Sequence, residues 1–298
     1  MDLPTRSVEV ILAGQSASGA YVASPSFEVY RYSWLRDGCF IADAMREIGE
    51  VESADRFFDW CARIVLARPT GPWDARYTLE GERDPSDWPK LQTDGLGLLL
   101  WALRRRGTTR WEEAAALVRS WLGLHWSEPS VDWWEEREGS HAATLWCIGE
   151  GLDSDEIRRE AVARAADRVD ASQLFIGTPE LVERVESTLV SPGGGVWRNL
   201  DDEYYGGGEW PLLTALLGLA RPARAAEALA WIEAHAAPNG DLPEQVQDHL
   251  LRPERYLPWV EKWGQPACPL LWSHAMYLRL HHAHRNRAVG HRALRDRR

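Results

Sequence analysis

Apolar residues recur every three to four positions through most of the chain, and strand-like alternation is scarce. Between residues 36 and 48, Phe40, Ile41, Ala44, Met45 and Ile48 fall on one side of a helix. Between 53 and 66, Ala54, Phe57, Phe58, Cys61, Ile64 and Val65 do the same. The spacing predicts helices over roughly 6–15, 36–48, 51–67, 93–106, 110–123, 141–151, 154–168, 179–190, 210–219, 222–235 and 268–285. Pro211 and Pro222 stand where first-turn prolines are tolerated. The glycine runs 193–195 and 206–208 read as loops. Neither is followed by Lys-Ser/Thr, so a phosphate cradle has little support.

Eleven or twelve helices in one run, with no break in composition, predict a single all-α domain. Helices alternate with long segments rich in Trp, Glu, Asp and Arg. That alternation suggests paired helices closed into a ring, with the loops at one end forming a site. No fixed-period repeat is visible, which disfavours a regular solenoid. The domain is expected over 1–286, with the basic stretch 287–298 as a mobile tail.

The net charge of −11 and a pI near 5.4 disfavour nucleic acid as a partner and suit a neutral substrate. No apolar run approaches the roughly 20 residues that cross a bilayer. Residues 1–6 lack a basic-then-apolar leader, so a cytoplasmic protein without membrane contact is expected. Cys39, Cys61, Cys147 and Cys268 form no CxxC and are expected as buried, reduced thiols. Tryptophan changes the picture most: there are 17 Trp against 5 Phe. A core needing only apolar volume has little reason for that ratio. Indole offers a flat apolar face plus one N–H donor, which suits the C–H faces and hydroxyl edges of sugars.

Four segments combine aromatic, acidic and basic residues. In Tyr30-Arg31-Tyr32-Ser33-Trp34-Leu35-Arg36-Asp37, the Arg36–Asp37 pair reads either as a helix-start ion pair or as a donor–acceptor clamp for vicinal hydroxyls. In Trp133-Trp134-Glu135-Glu136-Arg137, the carboxylates read either as solvated charge or as an acid desolvated by indole. Desolvation would raise a carboxyl pKa toward what a general acid needs. The third segment runs from Arg198 to Trp210. The fourth joins Gly240–Gln245 to Leu271–Ala275, and its Glu244, a loop acid, has no role on local grounds. His281, His282 and His284 make a poor metal set without supporting acids or thiols, and no cofactor is implied.

These segments, in this order, resemble glycoside hydrolase family 15, the glucoamylase family. The resemblance is carried by Tyr30–Asp37, Trp134-Glu135-Glu136, Tyr204–Trp210, Glu244-Gln245 and Trp272-Ser273-His274-Ala275, and spans most of the chain. It implies an (α/α)6 barrel of six inner and six outer helices. It implies Glu135 as general acid, rather than Glu136, and Glu244 as general base. Tyr30 matches a tyrosine near the nucleophilic water. Arg36 and Asp37 match the pair on the outer hydroxyls of the terminal glucose. Trp34, Trp133, Trp134 and Trp272 become pocket-wall aromatics, Arg198 a second sugar-binding arginine, and Trp88 a leaving-group-side partner of the acid. Lys90 departs from the arginine of some relatives.

The implied activity is inverting, exo-acting hydrolysis that releases β-glucose from small α-1,4- or α-1,6-gluco-oligosaccharides. A small soluble substrate is expected, because neither an N-terminal β-sandwich nor a starch-binding module is visible, and a monomer is favoured. The alternatives are a trehalase-type member or a non-catalytic sugar-binding or regulatory barrel. An epimerase of another α/α barrel class would favour histidine pairs, and only His274 lies in these segments.

Overall fold

The computed structural model describes residues 2–88 and 91–295, with side chains as far as 287. Lys90 and residues 296–298 of the expected tail lie outside the described residues. The helices are α1 (Leu3–Ala13), α2 (Leu35–Ile48), α3 (Val51–Ala67), α4 (Thr93–Arg106), α5 (Glu112–His125), α6 (Ala142–Leu152), α7 (Asp155–Arg164), α8 (Pro179–Leu189), α9 (Pro211–Ala220), α10 (Ala225–Ala234), α11 (Pro253–Trp263) and α12 (Leu271–Arg295). Two short ribbons join them: β1 (Ser33–Trp34) pairs with β2 (Arg76–Tyr77), and β3 (Ser130–Val131) with β4 (Glu138–Gly139).

Burial divides the helices into two sets. From Leu35 to Met45 every residue of α2 is buried, and so is every residue of α4 from Thr93 to Leu103. A helix buried on all sides must lie inside. By contrast, α3 buries a stripe (Phe57, Phe58, Cys61, Ile64, Val65), the pattern of a helix with one wet face. The inner ring runs α2–α4–α6–(Ala171–Phe175)–α9–α12 and closes back on α2. Behind it pack α1, α3, α5, α7, α8 and α10. This is the (α/α)6 barrel, with its fourth inner place taken by a five-residue 3₁₀ turn. Glycine permits the tightest inner contact. A Cβ on Gly97 of α4 would lie 2.5 Å from the Cys147 carbonyl of α6.

Away from the loops, Asp43 of α2 is buried and ties the ring together. Its Oδ1 accepts from Arg46 at 2.8 Å and from Arg105 of α4 at 2.9 Å. Arg279 of α12 approaches its Oδ2 at 3.3 Å. Three elements differ from the sequence reading. The last helix continues to Arg295 instead of ending near 285. The span 222–235 splits into a 3₁₀ turn at Pro222–Arg224 followed by α10. Helix α11 was not expected at all: it buries no residue fully and lies over the Tyr204–Gly206 turn. Cys39, Cys61 and Cys147 are buried and free. Cys268 is free but only partly buried, because it sits in the loop before α12 rather than within a helix.

Candidate active site

Glu135 sits in the hairpin loop between β3 and β4. Asp132 organises that loop: its carbonyl accepts from Glu135 N (3.0 Å) and its carboxylate from Glu136 N (2.9 Å). Glu135 itself takes φ = +62°, a left-handed backbone that costs a non-glycine residue on the order of 1 kcal/mol. The turn separates the two neighbouring acids. The Glu135 side chain is 6% exposed, whereas that of Glu136 is 43% exposed and pairs with Arg198 at 2.7 Å.

Burial raises the Glu135 pKa; the charges of Arg36 and Arg76 and the N–H bonds from Trp88 and Trp34 oppose it. Trp34 Nε1 donates to Oε1 at 2.6 Å, Arg36 Nη2 donates to the same oxygen at 3.3 Å, and Trp88 Nε1 donates to Oε2. Arg36, in the first turn of α2, lies among three carboxylates: Asp37 at 3.2 Å, Glu135 at 3.3 Å and Asp94 at 3.7 Å. One guanidinium cannot balance three buried anions. Burial, reinforced by these like charges, lifts Asp37 to about 6 and Asp94 to about 7. The cluster therefore holds protons near neutrality.

Glu244 is 3% exposed, so the loop acid that looked idle in sequence is buried. The start of α12 anchors its loop. His274 Nε2 accepts from Leu242 N at 2.9 Å, and Ser273 Oγ donates to the Pro243 carbonyl at 2.8 Å. Glu244 N donates to Ala267 O at 2.8 Å. On the other side, Gln245 Oε1 accepts from Gly208 N at 2.9 Å. Only glycine allows that approach, since a Cβ on Gly208 would lie 2.2 Å from Val246 O. Tyr30 OH donates to Glu244 Oε1 at 2.9 Å and Tyr204 OH to Oε2 at 3.2 Å. Burial lifts the Glu244 pKa to about 7, against the two tyrosine bonds and the Arg198 charge.

His274 yields a stability prediction. Because Nε2 accepts a backbone N–H, Nδ1 carries the proton and donates to Ser7 Oγ at 2.9 Å. Burial holds its pKa at about 3, below the ordinary 6.5. A depressed folded pKa contributes stability that is complete above 6.5 and is lost as pH falls toward 3, at up to about 1.4 kcal/mol per pH unit. H274N should therefore melt lower than wild type at pH 7, with the gap narrowing between pH 6 and 4. A gap independent of pH would refute the neutral buried imidazole.

A cavity of about 330 Å³ opens on these residues. Tyr30, Trp34, Arg36, Asp37, Trp88, Trp133, Trp134, Glu135, Arg198, Glu244 and Trp272 all line it. Arg198 is held by Asp202 (2.8 Å) and lies over the Trp134 and Tyr204 rings at 5.2 Å. Arg36 Nη1 and the indole nitrogens of Trp210 and Trp272 are buried without a hydrogen-bond partner in the structure. Among the lining residues that the sequence reading missed are Tyr204, Trp210, Trp259, Lys262 and Trp263. The first two lay within the Arg198–Trp210 segment, so a signal was present. The last three sit on the unexpected α11.

A helical barrel whose loops gather two buried carboxylates, two arginines and a wall of indoles around one cavity has the architecture of a carbohydrate-cleaving enzyme. The sequence model for glycosyl hydrolases family 15 matches residues 5–171. The chain belongs to that family and is a glycoside hydrolase. It is 36% identical to an isomaltose glucohydrolase of Kribbella flavida, over 93% of this chain and 91% of that protein. An uncharacterized glycosyl hydrolase of Methanocaldococcus jannaschii is 26% identical over 92% of this chain and 54% of that one. Among solved structures, a wild-type glycosidase superposes with a TM-score of 0.84 at 34% identity, covering 93% of this chain and 95% of that chain. A variant of a glycosidase in complex with glucose gives 0.83 at 33% identity, with the same coverage. A bacterial glucoamylase complexed with acarbose shares the fold, with a TM-score of 0.74 at 20% identity over 95% of this chain and 55% of that one.

Proposed function

We propose that this enzyme is an inverting, exo-acting α-glucosidase that releases β-glucose from the non-reducing ends of small α-gluco-oligosaccharides, with α-1,6 linkages preferred. The observation that carries the reading is the contrast between two buried glutamates on one cavity. Glu135 takes its donors from indoles and a guanidinium, and Glu244 takes its donors from two phenols.

The donor sets assign the protons. A carboxyl oxygen has two acceptor positions. Both are used on Glu135 Oε1, by Trp34 and Arg36, whereas Oε2 receives only Trp88. The acidic proton therefore belongs on Oε2, from which it passes to the glycosidic oxygen. The carboxylate left behind is met by three donors already in place, so the charge that develops in the transition state is stabilised without reorganisation. Each oxygen of Glu244 accepts one phenol and keeps one position free. One of these takes a proton from the attacking water as that water adds to the anomeric carbon. Burial raises the pKa of both tyrosines well above 10, so they remain neutral donors.

Arg36 and Asp37 are buried and meet the hydroxyls of a terminal ring, which favours chain ends. The preference for α-1,6 linkages rests on the likeness to the isomaltose glucohydrolase, and glucose as the bound unit on the glycosidase–glucose complex. Free thiols suit a reducing compartment, and we place the enzyme in the cytoplasm. Fresh enzyme on 4-nitrophenyl α-glucoside, whose only sugar product is the glucose cut at its anomeric carbon, followed by proton NMR, should show the β-anomer of glucose first. Initial α-glucose would overturn inversion. Activity on trehalose exceeding that on isomaltose and maltose would overturn the substrate assignment.

A further inference from the structure

Arg76 is a buried cation that packs behind the cavity wall and does not itself line it. It lies in β2 directly across from Trp34 in β1, and its side chain is 4% exposed. Three aromatic rings surround its guanidinium: Trp88 at 4.0 Å, Tyr32 at 4.3 Å and Trp34 at 4.8 Å. Each of its three nitrogens donates a hydrogen bond. Nε donates to Asp84 at 2.7 Å, Nη1 to the Val29 carbonyl at 2.9 Å and Nη2 to Ser86 Oγ at 3.3 Å. Asp84 is held in turn by the Ser86 backbone N–H at 2.9 Å.

Two of those three rings are the indoles that donate to Glu135, one to each carboxyl oxygen. They also lie outside the main core. Trp34 belongs to a small cluster with Ala23 and Ala75, against which Tyr30, Tyr32 and Trp88 pack. Trp34 and Trp88 meet edge to face at 5.9 Å, and the guanidinium of Arg76 lies against both rings. A planar cation between the rings holds their tilt, and the Asp84 carboxylate, with the Val29 carbonyl and Ser86, holds the cation.

We infer that Arg76 is a positioning residue for the general acid: through cation–π contact it sets the planes of Trp34 and Trp88 so that both indole N–H groups point at Glu135. This rests on the proposed role of Glu135. Its consequences follow from the donor count. Without Arg76 the indoles turn, Glu135 loses donors that favour its ionised form, and its proton is no longer directed from Oε2.

The test compares R76M, R76K and D84N with wild type. R76M should lower kcat on isomaltose about 10- to 100-fold, with KM changed far less, because Arg76 does not meet substrate. The alkaline limb of kcat should move to higher pH. R76K keeps the charge but loses the planar fork, so it and D84N should fall between. A second readout needs no turnover. In 15N-indole NMR, the Trp34 and Trp88 N–H signals, assigned against E135Q, should titrate with Glu135 in wild type, and their midpoint should rise in R76M and also in R76K, which keeps the charge that itself favours ionised Glu135. A folded R76M with wild-type kcat and midpoint overturns the inference; should R76M not fold, the same result in R76K and D84N does so. Wild type that cleaves no α-glucoside would defeat the functional reading instead, while the indole titration would still report on Arg76.

Discussion

Replacing Glu135 by Gln should lower kcat on isomaltose by roughly 10²–10⁴-fold, the range that loss of a positioned general acid produces. Glutamine keeps the side-chain volume and an acceptor for one of the two indole donors, so the protein should fold and bind sugar with little change in KM. The size of the loss should depend on the leaving group. A glucose leaving group departs as a poor anion and needs the proton. A 4-nitrophenolate does not, so 4-nitrophenyl α-glucoside should recover much of its rate in E135Q. Equal losses on both substrates would mean that Glu135 is not the acid, and near-normal turnover of isomaltose would remove it from the mechanism. The same substitution at Glu136, which is half-exposed and paired with Arg198, should cost far less.

The second large effect concerns Glu244. E244Q should also lose roughly 10²–10⁴-fold in kcat, here without recovery on the activated substrate, because water must still be deprotonated. Its ionisation sets the sign of the pH dependence. In the proposed role of base Glu244 works only when ionised, and burial lifts its pKa to about 7. Activity in kcat/KM should therefore fall as pH drops below about 7, well above the ordinary glutamate range. The Tyr30 hydroxyl bond favours the ionised form, so Y30F should move this acidic limb to higher pH while Tyr204 still donates to the other oxygen. A limb that stays near pH 4.5 in wild type, or moves down in Y30F, would contradict the assignment. The two variants together separate acid from base, since only one is rescued by a better leaving group.

Much of this was legible before any tertiary contact was known, for reasons that can be named residue by residue. The periodicity of Phe40, Ile41, Ala44 and Met45 is a local property and marks a helix in any context. The run Leu96–Leu103 is apolar on every face, and the structure buries all of it. The aromatic and acidic loops were conspicuous because they are rich where helices are not. Other parts had no such signal. The turn Ala171–Phe175 is too short to show a period, yet it fills an inner place in the barrel. Helix α11 contains Pro258 and has no core beneath it, so its Trp259, Lys262 and Trp263 escaped notice. Arg76 carried no mark at all. Its meaning depends on strand register, which sets it opposite a tryptophan 42 positions earlier in the chain.

By itself, then, the sequence determined the helical class and the indole-rich chemistry, because each is written in neighbours a few residues apart. Tertiary structure alone decided the behaviour of the carboxylates. Glu135 and Glu136 are adjacent and chemically identical, and a left-handed turn buries one while leaving the other half in water. Glu244 became a buried group only when α12 pinned its loop through Ser273 and His274. A carboxyl pKa is set by desolvation and by the charges and donors within a few ångströms. For Glu135 those donors arrive from Trp34, Arg36 and Trp88, 47 to 101 residues away, and no local reading of the chain contains that distance.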